Sequence, residues 1–415
     1  MKKYWKLMAL GVFSVATVGC FYIATAVSGE AAPEYTIETR SGDAAYIGKL
    51  VLSGESSPEY AQYWEPIEIS LDGTKGKKDY SLKEQLDSVA MMDPYTQKMY
   101  REHSDFLRNK TWGSGSYFED EKEVVYADLY IENDTRFDGF EIAVLNKETN
   151  DQKEYTVALP EYDRYENLHV NEIQKINNEL VLFTTNYIDG EMDLYSPITE
   201  SHAYRIDLEN QVVLEDTIIQ SASDQTTDYS TGIIYTDKAM PEKFVVFESF
   251  LASQSEEEEA MAVDPETLSV LAYDVAAGEV KTLSVSNELK ELPSYEAVVV
   301  QGSYIYYTMI EENGFNISRF NIETDTVDQT QLIELPSEVM VNFSSAQSGG
   351  TVTHIDGNMV YYVSTIKDLT EQTVSIVAAD LETGQVLYDG TVENGENMNE
   401  AFKENVLSIY DVYFK

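Results

Sequence analysis

The residues able to do chemistry are few and widely spaced. The 415-residue chain carries four histidines, His103, His169, His202 and His354, each alone in its stretch, and a single cysteine, Cys20. One cysteine forms no intramolecular disulfide, and Cys20 sits in an N-terminal apolar run. The body of the protein therefore has neither a thiol nucleophile nor a cysteine-based zinc site. His169 and His354 fall on the first strands of two repeats described below, where they would line a central channel and could share a metal. Singly spaced histidines more often pack or face solvent, so no metal site is expected from them. No G-x-S-x-G, G-x-x-x-x-G-K-[ST], H-E-x-x-H or EF-hand loop occurs. Gly113-Ser114-Gly115-Ser116 has the wrong spacing for a nucleophile elbow and reads as a flexible linker. Aspartate and glutamate number 74, so a carboxylate pair for glycoside chemistry can be neither singled out nor excluded. Catalytic residues stay unassigned and no cofactor is expected. Asp207, Asp274 and Asp380, with their Asn counterparts, suit turns in which the side chain bonds the backbone two residues on. Each such loop offers calcium few oxygens, which leaves calcium the one cation still open.

These residues must be held by a repeated β unit, written most clearly from Gly349 to Gly390. It reads as strands Thr351 to Ile355, Met359 to Thr365, Val374 to Ala379 and Val386 to Tyr388, with an Asp356-Gly357 turn and an Asp380 to Gly384 turn. An Asp-Gly pair between β-branched and aromatic runs signals a hairpin, because glycine supplies the positive φ the turn needs. The unit recurs upstream, with the turn before its second strand at Glu121, Asn178, Glu242, Gly302 and Gly357. The turn before the last strand recurs as Asn146-Lys147-Glu148-Thr149-Asn150, Asp207 to Val212, Asp274 to Val280 and Asn321 to Val327. Four-strand repeats of this period predict an all-β fold, a β-propeller of about six four-stranded blades, with five to seven allowed. Full repeats are expected at about 115–165, 166–222, 229–290, 294–338 and 349–392.

The pattern of an apolar strand after an Asx-Gly turn, followed by Asp380-Leu381-Glu382-Thr383-Gly384-Gln385-Val386 and its copies, resembles exported bacterial β-propeller proteins of the broad WD40-like, TolB-like and YWTD-like kind. The Gly-His and Trp-Asp pairs of true WD40 repeats and the YWTD tetrapeptide are lacking. The resemblance implies a fold and hardly a function, since propellers host many activities.

Residues 1–27 form an export segment: a basic start to Lys6, then Leu7 to Val27 without a charge. An uncleaved anchor, a signal peptide cleaved after Ala24-Thr25-Ala26, and lipidation at Cys20 all remain open, and each exports the body of the chain. Residues 28–40 read as a polar spacer and 41–415 as the propeller. Tyr46 to Ser53 and Pro66 to Leu71 are expected strands of an incomplete unit. A helical excursion over 81–110 follows, opened by the capping box Ser81-Leu82-Lys83-Glu84 and by Asp93-Pro94. Tyr95, Met99, Glu102 and Phe106 share one face of it, suited to packing on the outside or rim. Glu256 to Glu259 is a charge run at a loop tip. The closing strand, 405–415, has no downstream partner and should join the N-terminal strands.

A net charge of −46 repels nucleic acid and anionic lipid. The reading that results is a non-catalytic binding, sensing or scaffold module at the cell surface, outside the cytoplasm and membrane-attached or secreted. Its partner would be a protein or a cell-wall component, with a monomer as the default state. The alternative is an exported carbohydrate-active hydrolase or lyase using channel carboxylates.

Overall fold

The computed structural model describes residues 13, 33–58, 64–111, 113–132, 136–188, 199–221, 228–233, 241–254, 261–290, 298–335, 351–367, 372–396, 398 and 405–415. The export segment (Phe13 apart), Cys20 and the charge run at Glu256 to Glu259 lie outside them. Among the described residues no helix is long and apolar enough to cross a membrane.

In chain order the strands are β1 (Tyr35–Gly42), β2 (Leu50–Pro58), β3 (Glu65–Ser70), β4 (Gly73–Gly76), β5 (Tyr117–Glu119), β6 (Glu123–Glu132), β7 (Arg136–Asn146), β8 (Gln152–Ala158), β9 (Tyr165–Ile176), β10 (Glu179–Ile188), β11 (Thr199–Asp207), β12 (Val212–Gln220), β13 (Asp228–Ile233), β14 (Phe244–Gln254), β15 (Met261–Asp274) and β16 (Glu279–Thr282). They continue as β17 (Val298–Gln301), β18 (Tyr304–Glu311), β19 (Gly314–Asn321), β20 (Thr326–Glu334), β21 (Thr351–Asp356), β22 (Met359–Lys367), β23 (Gln372–Asp380), β24 (Val386–Asn394) and β25 (Asn405–Phe414). They form six antiparallel sheets: four meanders, β5–β8, β9–β12, β13–β16 and β17–β20; a five-stranded sheet in the order β1-β24-β23-β22-β21; and β25-β2-β3-β4.

The last of these joins the C-terminal strand to three strands from the N-terminal part of the chain. β25 pairs antiparallel with β2 from Leu50–Phe414 to Pro58–Asn405, so an orphan C-terminal strand becomes a sheet edge. Apolar clusters lie between successive sheets. One joins β5–β8 to β9–β12 through Phe140, Ile142, Val170 and Tyr204, and the next joins β9–β12 to β13–β16 through Phe183, Ala203, Val245 and Tyr273. Others link β13–β16 to β17–β20, β17–β20 to β21–β24, and β21–β24 to the β2 sheet. The architecture is all-β and propeller-like.

Two expectations need correction. Residues 35–40 are not part of a polar spacer: they belong to β1, the fifth strand of the β24 sheet. Tyr35 is buried, Ile37 packs beside it, and the Arg40 guanidinium meets the buried Asp389 carboxylate at 2.6 Å, which anchors an otherwise polar strand. The stretch Tyr46 to Ser53 is not one strand either. Ala44–Ile47 forms a 3-10 turn capped by Asp43, and β2 starts at Leu50.

The helical excursion forms as its caps dictate. Ser81 Oγ accepts the Glu84 amide and Glu84 Oε2 accepts the Ser81 amide, while Asp93 caps the helix Pro94–His103. Met99 and Phe106 are buried with Tyr80 and Leu107 against Tyr117, Val124, Tyr126 and Leu145 of the β5–β8 sheet, whereas Glu102 stays exposed. Tyr80 also donates to Glu68 of β3 at 2.8 Å, so this segment bridges the β2 and β5 sheets.

Candidate functional site

The site grows from an irregularity in β9. Opposite β10, Phe183 faces Glu172, but the next residue, Thr184, faces Val170, so Asn171 is an extra residue in the ladder. Side chains alternate along a strand, and His169 and Glu172, three apart, would ordinarily point to opposite faces. The bulge resets the alternation and turns both toward the side of Phe183, facing the β13–β16 sheet. The slip is written in the sequence: apolar Leu168 and Val170 are followed by Ile173 rather than an apolar residue at 172.

His169, Thr185 and Ser201 make one cross-strand row over β9, β10 and β11. With Asn171, Glu172, Ser114 and Phe247 they line a cavity of about 400 Å3. Within it His169 is exposed and Glu172 is buried. Asn171 donates to Thr185 Oγ1 at 2.8 Å, and Gln174 donates to Glu172 Oε1 at 3.0 Å. Gln174 also accepts the Glu242 amide at 2.9 Å, so its carboxamide is held from both ends.

Gly113 to Ser116 is not a flexible linker. Ser114–Ser116 is a 3-10 turn that forms one wall of the cavity, and Ser116 is buried. A Cβ on Gly115 would stand 2.2 Å from the Asn171 carbonyl oxygen, so only glycine lets this turn close on the bulge.

The other histidines have different surroundings. His202, on the opposite face of the same sheet, is buried: Nδ1 meets Asp216 at 2.6 Å, and Nε2 meets Tyr165 and Glu200, each at 3.3 Å. Arg164 meets Glu200 at 2.6 Å, and the His202 ring stacks on Tyr204. Burial pushes the Tyr165 hydroxyl up to about 12, which keeps it a donor to Glu200. His354 packs its ring 5.3 Å from that of Phe414. The structure does not bring His169 and His354 together in any cluster of metal-ligating atoms among the described residues.

The Asx turns hold themselves. Oδ1 of Asp207, Asp274, Asp380, Asn146 and Asn321 accepts the amides two and three residues on, at 2.8 to 3.2 Å. Hydrogen bonds within the turns, from Asn210 to Asp207 and from Thr383 to Asp380, hold both carboxyls below the usual range. Those oxygens serve the turns.

No protein-family model and no curated protein matches the chain. Among solved structures it is similar to that of polysaccharide lyase Uly1, at 8% identity and a TM-score of 0.35, over 67% of this chain and 57% of that one. It is also similar to a glycoside hydrolase, at 14% identity and a TM-score of 0.25, over 55% of this chain and 47% of that one. The chain thus spans about half the length of either. Likenesses this remote identify neither an activity nor a substrate.

Proposed function

We propose that the chain is an extracytoplasmic carbohydrate-recognition protein, a six-bladed propeller closed by β25, and that the cavity over β9 is its binding site. The observation that carries this reading is the bulge at Asn171, which turns His169 and Glu172 into one cavity. There they join an amide, the hydroxyls of Ser114, Ser116, Thr185 and Ser201, and the apolar Phe247. Closely spaced donors and acceptors beside an apolar ring suit a polyhydroxylated ligand. The ligand should be neutral or cationic, because the net charge of −46 repels polyanions and no lysine or arginine is among the cavity's lining residues.

A second reading, turnover of the same carbohydrate, is supported by an imidazole and a carboxylate sharing one face. Glu172 is the one carboxylate among the lining residues, whereas common glycoside hydrolysis uses two, so recognition is the better-supported reading. The test is calorimetric titration with neutral and amino-sugar oligosaccharides, alongside an assay for new reducing ends or unsaturated products. Binding that is lost in His169→Ala, with no product, supports recognition. Product formation lost in the same variant establishes turnover, and binding that His169→Ala leaves unchanged overturns the site.

A further inference from the structure

The fourth histidine stands in a setting unlike the other three. Glu102 and His103 end the helix Pro94–His103, and Glu119 ends β5. One ligand atom from each lies within 4.8 Å of the other two. Nε2 of His103 and Oε2 of Glu119 are both buried, and neither makes a hydrogen bond among the described residues. A buried polar atom without a partner is costly, and here two such atoms belong to two residues of one three-residue cluster. Glu119 is 4% exposed. Its other oxygen accepts from Lys147 at 2.6 Å, which fixes the carboxylate while Oε2 is left without a hydrogen bond. Lys98 Nζ stands 3.8 Å from Oε2, too far for a hydrogen bond, on a side chain that is half exposed.

We propose that Glu102, His103 and Glu119 form a binding site for a divalent transition-metal ion of the zinc class, in which the ion displaces the Lys98 ammonium. One imidazole and two carboxylates suit such an ion, whereas an all-oxygen shell would suit calcium or magnesium. The negative end of the helix dipole falls at Glu102 and His103 and favours a cation there. Bonds of ~2.1 Å in tetrahedral geometry place ligand atoms ~3.4 Å apart, so the three must draw in by about an ångström. Exposed Glu102 can make that movement, and solvent supplies the remaining position. The ion would tie the helical excursion to the first strand of the β5–β8 sheet and so add to the stability of both.

The experiment is titration of the chelator-treated full chain with zinc chloride, followed by calorimetry and by melting temperature, with calcium chloride at matched ionic strength beside it. Zinc should raise the melting temperature, as any ligand of the folded state does. His103→Gln and Glu119→Gln should weaken binding at least ~10-fold. Glu102→Gln, at an exposed position where folding is not at risk, should weaken it too. Lys98→Met should tighten it several-fold. Absence of a zinc effect, an equal effect in the ligand variants, or an equal effect of calcium would overturn the site. Unchanged affinity in Lys98→Met would overturn the displacement.

Discussion

The two faces of the β9–β12 sheet each carry a histidine, and they treat it in opposite ways. On the face toward β5–β8, His202 is 1% exposed and both ring nitrogens have partners: Asp216 on one side, Glu200 and Tyr165 on the other. On the face toward β13–β16, His169 is exposed at a cavity among hydroxyls. A saturated polar network inside a sheet interface specifies how two sheets pack, because any other arrangement strands its members. An exposed imidazole beside a buried carboxylate contributes little to packing and remains free to meet a ligand. Of the two, the isolated His169 is therefore the functional candidate, although the His202 group looks more like catalytic machinery.

The sharpest way to break this comparison is Glu200→Ala. Glu200 is buried and accepts from Arg164, Tyr165 and Ser221, besides its contact with His202. Its removal should destabilise the protein by about 3 kcal/mol, because the partners are left behind in a buried interface. Urea unfolding measures the loss, and ligand binding by the folded fraction should persist. A variant as stable as the parent would show that the network is dispensable.

Asp411 sharpens the comparison, being a carboxylate that burial disfavours. It lies on β25, where Oδ1 accepts the Val412 amide at 2.8 Å, yet burial pushes its carboxyl up to about 6, with Asp93 adding to the rise. The folded value exceeds the unfolded ~3.9, so the folded state binds the proton more tightly. The stability this contributes is fully present below about pH 4 and lost as pH rises through 6. Asp411→Asn, neutral throughout, should gain roughly 2 kcal/mol at pH 7 and almost nothing at pH 4. Melting curves at the two pH values check it, and an equal gain at both would assign the effect to something other than the carboxyl.

His169→Ala then tests the open face. Stability should stay within ~0.5 kcal/mol of the parent, as at other exposed positions, while affinity for the oligosaccharide should fall ~10-fold, or about 1.4 kcal/mol. If this variant unfolds as readily as Glu200→Ala, the two faces do not divide packing from binding.

What the sequence made legible was local. The Asp356-Gly357 hairpin, the Ser81 capping box and the Asx turns each lie within a few residues, and each forms from its own side chains. β25 was legible as a strand without a downstream partner. β1 was not, because its polar Thr36, Glu38 and Thr39 earn their place only through pairing with β24, some 350 residues away, and through Arg40 meeting Asp389. The cavity stayed hidden for a similar reason: its walls come from the Gly113 turn, from β9, β10 and β11, and from β13 and β14, which no periodicity connects. The slip in alternation at Asn171 was its one local trace.

The smallest expected effect comes from a turn at the far edge of the same sheet, away from both faces. Five turns share a geometry in which an Asx residue is followed four positions later by positive φ: Asn150 (58°), Gln211 (56°), Gly278 (74°), Asp325 (58°) and Gly384 (69°). Four of these positions hold Gly, Asn or Asp, the residues that tolerate left-handed backbone, and only Gln211 does not. An L residue there costs about 1–2 kcal/mol, while glycine loses about 0.5–1 kcal/mol more entropy on folding. Gln211→Gly should therefore stabilise the protein by about 0.5 kcal/mol and leave ligand binding unchanged, as paired denaturation and titration would show. A loss of stability would mean that the Gln211 side chain makes up for its backbone strain, and that the turn is less independent of the two faces than its position suggests.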